Sequence, residues 1–318
     1  MNVAHPPPHL SLDPQKFRDP FVTAKGEARA SVALTALGTL WFNTGSLCNL
    51  TCANCYIESS PANDRLEYLT VAEVAAFLDE IARDGHPTEE IGFTGGEPFM
   101  NPGLIEMLGE VLDRGLRALV LTNAMRPMMK CADALLDLRT RYGDRLSLRV
   151  SLDHHSQARH DEERGPRAWE RTLPGLTWLS AQGFDLAIAG RTRWGDSEAS
   201  LRAGYARLFA AKGIVVDAGD PAALVLFPEM NERLDVAEIT TACWSLLGVD
   251  PDAMMCASSR MAVKHKGAAR PTIVPCTLLP YDSQFDLGPT LAAAAAPVRL
   301  NHPHCARFCV LGGGSCSA

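Results

Sequence analysis

The sequence predicts an α/β fold: a parallel sheet covered by helices, closed or partly closed into a (β/α) barrel, with a small cysteine-rich region at its C-terminal end. Three observations predict it. Short apolar runs alternate six times with longer helix-like stretches between residues 37 and 247, the pattern of repeated strand–helix units. Polar and glycine-rich residues fall just after the apolar runs, at the strand ends where such barrels carry their chemistry. Beyond residue 250 the alternation fades and cysteines gather: Cys256, Cys276, Cys305, Cys309 and Cys316.

In chain order, residues 1–36 read as an N-terminal arm. The Pro6-Pro7-Pro8 run blocks regular structure, and Asp19-Pro20 is a turn signal. The arm is expected either to pack across the bottom of the barrel or to stay mobile. Residues 37–249 are the barrel. Leu37–Asn43 is its first strand, and Thr70–Arg83 its first helix, where Thr70 with Glu73 three positions on makes a capping box. The following strand–helix pairs are Ile91–Thr94 with Leu104–Arg114, Ala118–Thr122 with Cys131–Tyr142, and Leu146–Ser151 with Trp169–Gln182. Leu186–Ala189 with Glu198–Lys212 and Leu224–Phe227 with Val236–Leu247 complete the series. Six units are fewer than the eight of a full barrel. Residues 250–318 form the extension.

Composition removes several function classes. The 318 residues are 47% hydrophobic and 21% charged, enough to bury a sizeable core. A net charge of −7 offers no basic field for nucleic acid. No apolar run approaches the length of a membrane span, and the Pro- and His-rich start is not a secretory signal. The expected location is a reducing cytoplasm, where the ten cysteines serve as metal ligands more readily than as disulfides.

The residues that organise the chain are Cys48, Cys52 and Cys55, a C-x3-C-x2-C loop after the first strand. Three cysteines do not complete a structural zinc site, which wants four ligands. They can hold three irons of a [4Fe–4S] cube, normally bound by four thiolates, and leave one iron open. With the apolar strand Leu40-Trp41-Phe42-Asn43 before it and Tyr56 after it, this loop resembles that of the radical S-adenosylmethionine (radical SAM) enzymes. The resemblance implies a partial (β/α)6 TIM-like barrel in which the open iron chelates SAM. An electron from the cluster then cleaves SAM to methionine and a 5′-deoxyadenosyl radical, which abstracts hydrogen from a substrate.

The resemblance extends to other positions. Gly95-Gly96-Glu97-Pro98, after the second strand, matches the family's GGEP motif. Paired glycines permit close backbone approach, and in the family this stretch meets the amino group of SAM; a plain turn capped by Glu97 is the alternative. Ser151 and Asp153 resemble the polar residues that contact the SAM ribose and carboxylate, or else they cap a turn. Arg191 suits the SAM carboxylate because arginine binds carboxylates bidentately; Arg193 competes with it, and a surface charge is the alternative. Asn123 is a candidate polar contact or a turn residue. Tyr56 shields the cluster, packs on adenine or joins the core. His154 and His155 are adjacent and point differently, which suits loop residues or substrate contacts better than a metal pair. Arg164-Gly165 resembles an Arg-Gly pair that follows this strand in many members.

The C-terminal spacing, Cys256-x19-Cys276-x28-Cys305-x3-Cys309-x6-Cys316, resembles the twitch and SPASM extensions that hold auxiliary [4Fe–4S] clusters. Gly267–Cys276 resembles the hairpin that carries a second ligand, with eight intervening residues rather than four. Five cysteines are fewer than two clusters need, which favours one cluster held by Cys256, Cys276, Cys305 and Cys309, with Cys316 as a substitute ligand or a free thiol. Zinc is the alternative metal, which His302 and His304 could join if they do not simply pack the loop. Cys131 and Cys243 read as small core side chains. An auxiliary cluster that accepts an electron would make the net reaction an oxidation or a maturation of a peptide or small molecule. An external flavodoxin or ferredoxin would supply electrons. The alternative from another class is a non-catalytic iron–sulfur protein for electron transfer or sensing.

Overall fold

The computed structural model describes residues 11–228 and 230–314. Six parallel strands run in sequence order: β1 (Thr39–Asn43), β2 (Glu90–Thr94), β3 (Arg117–Thr122), β4 (Leu146–Ser151), β5 (Asp185–Arg191) and β6 (Leu224–Phe227). Each strand pairs with its successor, Thr39 opposite Glu90 and Ala118 opposite Leu146. This is the order that repeated right-handed strand–helix crossovers produce. Between them lie α1 (Val71–Asp84), α2 (Leu104–Asp113), α3 (Ala132–Tyr142), α4 (Gln157–Arg164), α5 (Ala168–Ala181) and α6 (Glu198–Lys212). The six expected strands are all present.

Alternation along each strand divides the interior into two cores. Leu40 and Phe42, Ile91 and Phe93, and Leu148 and Val150 face the helices in the larger core. Trp41 and Leu119 face the opposite way, toward the C-terminal segment and the arm. Helix α1 illustrates how local signals agree with this packing. Its Thr70–Glu73 capping box forms as expected, Gly85 ends it in the left-handed region at φ 68°, and Val74, Phe77, Leu78 and Ile81 make one buried stripe. Such a stripe at helical spacing is what the sheet can cover.

Three features differ from the sequence reading. Residues 259–263 continue the sheet as β7 (Ser259–Val263), parallel to β1 on its free side, and β8 (Thr272–Val274) pairs antiparallel to β7. The C-terminal region expected from residue 250 therefore shares one sheet with the barrel. The expected hairpin up to Cys276 is this β7–β8 pair. The helix expected at Val236–Leu247 forms only over Cys243–Leu247. Residues before it run extended because the arm claims their backbone: Ala30 N–H donates to Ile239, Thr241 N–H donates to Ala28, and Arg29 pairs with Glu238 in the interior. The arm thus packs on residues 233–241 and, through Ser31–Val32 paired with Val298–Arg299, on the C-terminal segment. The Pro6–Pro8 run lies outside the described residues, as does Cys316.

Candidate active site

The cysteine loop leaves the end of β1 and is held from three sides. From β2, Gly96 N–H donates to Gly45 and Glu97 N–H to Leu47. The approach is so close that a Cβ on Gly96 would lie 2.1 Å from the Leu47 carbonyl oxygen, and Gly95 sits at φ +138°. Only glycine fits here without moving the loop. Gly96→Ala should cost about 1–3 kcal/mol by overpacking and lower the iron bound per chain, measured by urea unfolding and by iron assay after anaerobic reconstitution. From β3, Asn123 Nδ2 donates to Asn49 Oδ1. From α4, Glu163 accepts from both the backbone and the side chain of Asn54, and its carbonyl accepts from Ala53 N–H.

Cys48, Cys52 and Cys55 line one cleft, whose other walls include Thr94, Gly95, Gly96, Asn123 and Ser151 at the C-terminal ends of β2, β3 and β4. Tyr56, Asp153 and Arg191 also reach it. Ser59 Oγ in its wall is buried without a hydrogen-bond partner. Burial pushes the Cys48 thiol up to about 12 and raises Cys52 as well, while Leu50 N–H and Arg164 respectively pull against it. Backbone N–H groups point at two sulfurs, Leu50 to Cys48 at 3.4 Å and Ser59 to Cys55 at 3.3 Å.

The donor set fits a multi-iron core. Among the described residues no three cysteine sulfurs lie within 4.8 Å of one another. Tetrahedral zinc would draw its sulfurs to about 3.8 Å apart at a Zn–S distance near 2.3 Å. A cube of iron and sulfide holds thiolates at its corners and needs the wider spacing. Metal binding also displaces the protons that burial keeps on these thiols.

Behind the cysteines lies an ion network. Arg164 donates to both carboxylate oxygens of Asp153. Arg191 Nε stands 3.6 Å from Asp153 Oδ1, and Arg191 also bonds Glu163 and the Asn54 carbonyl. Burial would raise Asp153, but the charges of Arg164 and Arg191 outweigh it and hold the carboxyl below the ordinary range. Arg164 stays firmly charged: Asp153 and the neighbouring Cys52 overcome the cost of its burial.

The radical SAM superfamily model matches residues 42–192, from inside β1 to just past β5. Residues 42–192 form a radical SAM domain. The antilisterial bacteriocin subtilosin biosynthesis protein AlbA of Bacillus subtilis (strain 168) is 32% identical over 143 residues, covering 45% of this chain and 30% of that protein. An AdoMet-dependent heme synthase of Oleidesulfovibrio alaskensis is 31% identical over 142 residues, covering 44% of this chain and 34% of that protein. The chain therefore spans about a third of the length of these curated relatives. The crystal structure of Streptococcus suis SuiB bound to precursor peptide SuiA aligns with 80% of this chain and 63% of that one, at a TM-score of 0.58 and 11% identity, a likeness of fold.

With the radical SAM fold in place, the expected SAM contacts separate into two groups. Gly95, Gly96, Asn123, Ser151 and Tyr56 line the cleft. Glu97 and Pro98 do not. Glu97 is buried beneath it, accepting from Thr122 Oγ1, Asn123 N–H and Phe99 N–H. Burial lifts its pKa to about 7 against those bonds. It joins the ends of β2 and β3, and its carboxylate, expected to meet an ammonium group, is engaged beneath the cleft instead. Pro98 starts the turn Pro98–Met100 that Glu97 caps. Arg191 and Asp153 line the cleft with their charges already engaged. Arg193 is outside the cleft, pairing with Glu163. His154 accepts from Ser156 N–H, and His155 packs on Tyr205; both are loop packing. Glu163 was not expected: within Asp161-Glu162-Glu163-Arg164 nothing distinguishes it from a solvated charge, yet it is 2% exposed.

Cys256, Cys276, Cys305 and Cys309 line a second pocket, otherwise walled by His304 and by apolar side chains such as Met254, Leu278 and Leu300. Burial pushes Cys256 up to about 11 and Cys305 up to about 12. Below them Arg260 is fully buried, its guanidinium held by the carbonyls of Cys256, Ser259, Ala294 and Ala296, with no carboxylate partner among the described residues. Cys131 and Cys243 pack at the edges of the two cores. His302 and His304 approach Glu232 at 3.6 and 3.8 Å. His302 Nδ1 accepts His304 N–H, so its proton sits on Nε2 facing Glu232, the wrong tautomer for a ligand there.

Proposed function

We propose that this chain is a radical SAM oxidoreductase or maturase with a second, auxiliary cluster. The observation that carries the proposal is the single cleft that brings the sulfurs of Cys48, Cys52 and Cys55 against the backbone of Thr94–Gly96 and the side chains of Asn123 and Ser151. Bound there, a [4Fe–4S] cluster with SAM would supply reductive cleavage to methionine and a 5′-deoxyadenosyl radical that takes hydrogen from a substrate. The protein's own residues do the rest. Carbonyls around Gly95 accept from an ammonium group, Asn123 and Ser151 offer hydrogen bonds to ribose or carboxylate oxygens, and Tyr56 gives an apolar face at the mouth. The Asp153–Arg164–Arg191–Glu163 network holds the cysteine loop to α4 and β5.

The four-cysteine pocket supports an auxiliary [4Fe–4S] site. The pocket gathers four cysteines, the number of thiolates a [4Fe–4S] cube takes, and Arg260 supplies a fixed buried cation beside Cys256 and Cys276 to balance thiolate charge. Such a site would accept the electron left on a substrate radical and make the net reaction an oxidation. A peptide is the favoured substrate class. Its support is that AlbA is named for bacteriocin biosynthesis and SuiB is bound to a precursor peptide. A reducing cytoplasm suits both thiolate sites, and no helix among the described residues is long and apolar enough to cross a membrane.

The test is anaerobic incubation with dithionite and SAM, measuring methionine and 5′-deoxyadenosine. Equal yields of both are expected, together with label transfer from deuterated candidate peptides to 5′-deoxyadenosine. A reduced, iron-loaded chain that binds SAM without cleaving it would sink the proposal. Cys276→Ala should keep SAM cleavage, lose about four irons and lose substrate oxidation. A full iron complement in that variant would remove the auxiliary site.

A further inference from the structure

A second opening, of about 760 Å³, flanks the cysteine loop and shares none of the lining residues of the SAM cleft. Asn49, Met100 and Met125 line it, and Arg126, Lys130 and Arg171 stand around its rim. The three cations are exposed, form no ion pair among the described residues, and meet no carboxylate in the lining. Some surface arginines are paired, Arg114 with Asp79, Arg141 with Asp137 and Arg167 with Glu170; Arg207 and Arg270 are exposed and in no ion pair among the described residues, so what marks this rim is that three such cations share one opening. In a chain of net charge −7 this rim reverses the local field. Arg126 and Lys130 are four residues apart on one short turn, where Lys130 N–H donates to the Arg126 carbonyl, so the two charges share a face.

The opening reaches toward the iron-binding loop. Met125 is 2% exposed and packs in one small cluster with Cys48, Leu50 and Ala168, against which Cys52 also rests. Asn49 Nδ2 donates to Met125 Sδ at 3.5 Å. Met125 thus belongs both to the lining of the opening and to the apolar cluster that contains Cys48.

We infer that this opening is the docking site of an acidic one-electron carrier protein of the flavodoxin or ferredoxin kind, an inference that rests on the SAM-cleaving reading. Electron-transfer encounters use small interfaces and depend on complementary charge for their rate of approach. A cationic rim around an apolar, methionine-lined floor has that composition. Because the opening is separate from the SAM cleft, a carrier can dock while SAM and substrate are in place. The carrier loses one electron, its flavin hydroquinone anion becoming a neutral semiquinone or its iron–sulfur centre being oxidised. The three-cysteine site takes up that electron, and no atom or proton is transferred.

The experiment uses the full, reconstituted chain and its Arg126→Glu/Lys130→Glu/Arg171→Glu variant. An acidic flavodoxin is titrated calorimetrically at low salt and at about 0.5 M salt, where surface charges are screened. Hydroquinone reoxidation is then followed by stopped flow, and both measurements are repeated with an acidic ferredoxin to tell the two carriers apart. Wild-type binding should weaken with salt. The variant should bind at least about tenfold more weakly and slow carrier oxidation to match, while SAM cleavage driven by dithionite is unchanged. Arg126→Lys with Arg171→Lys, which keeps the charge, should bind as wild type. The inference is overturned if the charge-reversed variant binds and oxidises both carriers like wild type, or if neither carrier binds wild type at low salt. Failure of dithionite-driven cleavage in wild type would instead strike the SAM-cleaving reading, and calorimetry would still judge the docking surface.

Discussion

Changing Cys48, Cys52 and Cys55 together to alanine should lower the iron bound after anaerobic reconstitution from about eight to about four per chain, and 5′-deoxyadenosine should fall to the background of a protein-free control. The reason is geometric. The cleft offers no fourth cysteine and no histidine among its lining residues, so nothing replaces the lost thiolates. On the proposed reading the remaining irons are held by Cys256, Cys276, Cys305 and Cys309, which line a different pocket. Iron assay and chromatography of the nucleoside products check both halves. A wild type with about four irons that falls to none, with one zinc retained, would make the C-terminal pocket a structural zinc knot and leave the SAM cleft as the only redox site.

Arg164→Met should destabilise the apo chain by about 3–5 kcal/mol, the cost of leaving a buried charge without its partner. The side chain that suffers is Asp153, 3% exposed, which Arg164 binds through two nitrogens. Methionine keeps most of the volume and removes the charge. Urea unfolding across pH separates charge from packing. In wild type Asp153 is held below its ordinary value of 3.8, so it adds stability above that pH and loses it as pH falls through the lower folded value. In the variant, burial acts with less opposition and Asp153 takes up its proton at a higher pH. The deficit should therefore be full at neutral pH and shrink as pH falls toward about 4. A deficit that does not change with pH would assign the loss to packing alone. The same variant should also loosen the cysteine loop, because α4 carries both Arg164 and Glu163, and Glu163 holds Asn54.

Much of this was legible in the sequence because it is local. The six strands appear as short apolar runs, since a parallel strand covered on both faces must be apolar throughout. The Thr70–Glu73 box is written in four consecutive residues. The cysteine loop and the glycine pair announce themselves by spacing. What escaped is what depends on neighbours distant in the chain. Ser259–Val263 contains Arg260, an improbable strand residue until the carbonyls of Cys256 and Ser259 just before it and of Ala294 and Ala296 far along the chain enclose its guanidinium. Residues 236–242 have helical composition, yet the arm competes for their backbone hydrogen bonds and wins.

The chain by itself determined the barrel, the two groups of cysteines and the glycine–glutamate turn, because periodicity, capping and ligand spacing act within a few residues of one another. Only the tertiary structure decided which polar residues face the cleft. Glu97 and Asp153 are both carboxylates at strand ends; one is buried under three hydrogen bonds, and the other is locked to Arg164 at the cleft wall. Arg191 is the last residue of β5 and Arg193 lies in the turn beyond it. Competition for Glu163 and Asp153 leaves Arg191 in the cleft and Arg193 outside it. Burial and charge pairing are set by partners from 11 residues away, as for Arg164 and Asp153, to 109 away, as for Glu163 and Asn54, and no local pattern encodes them.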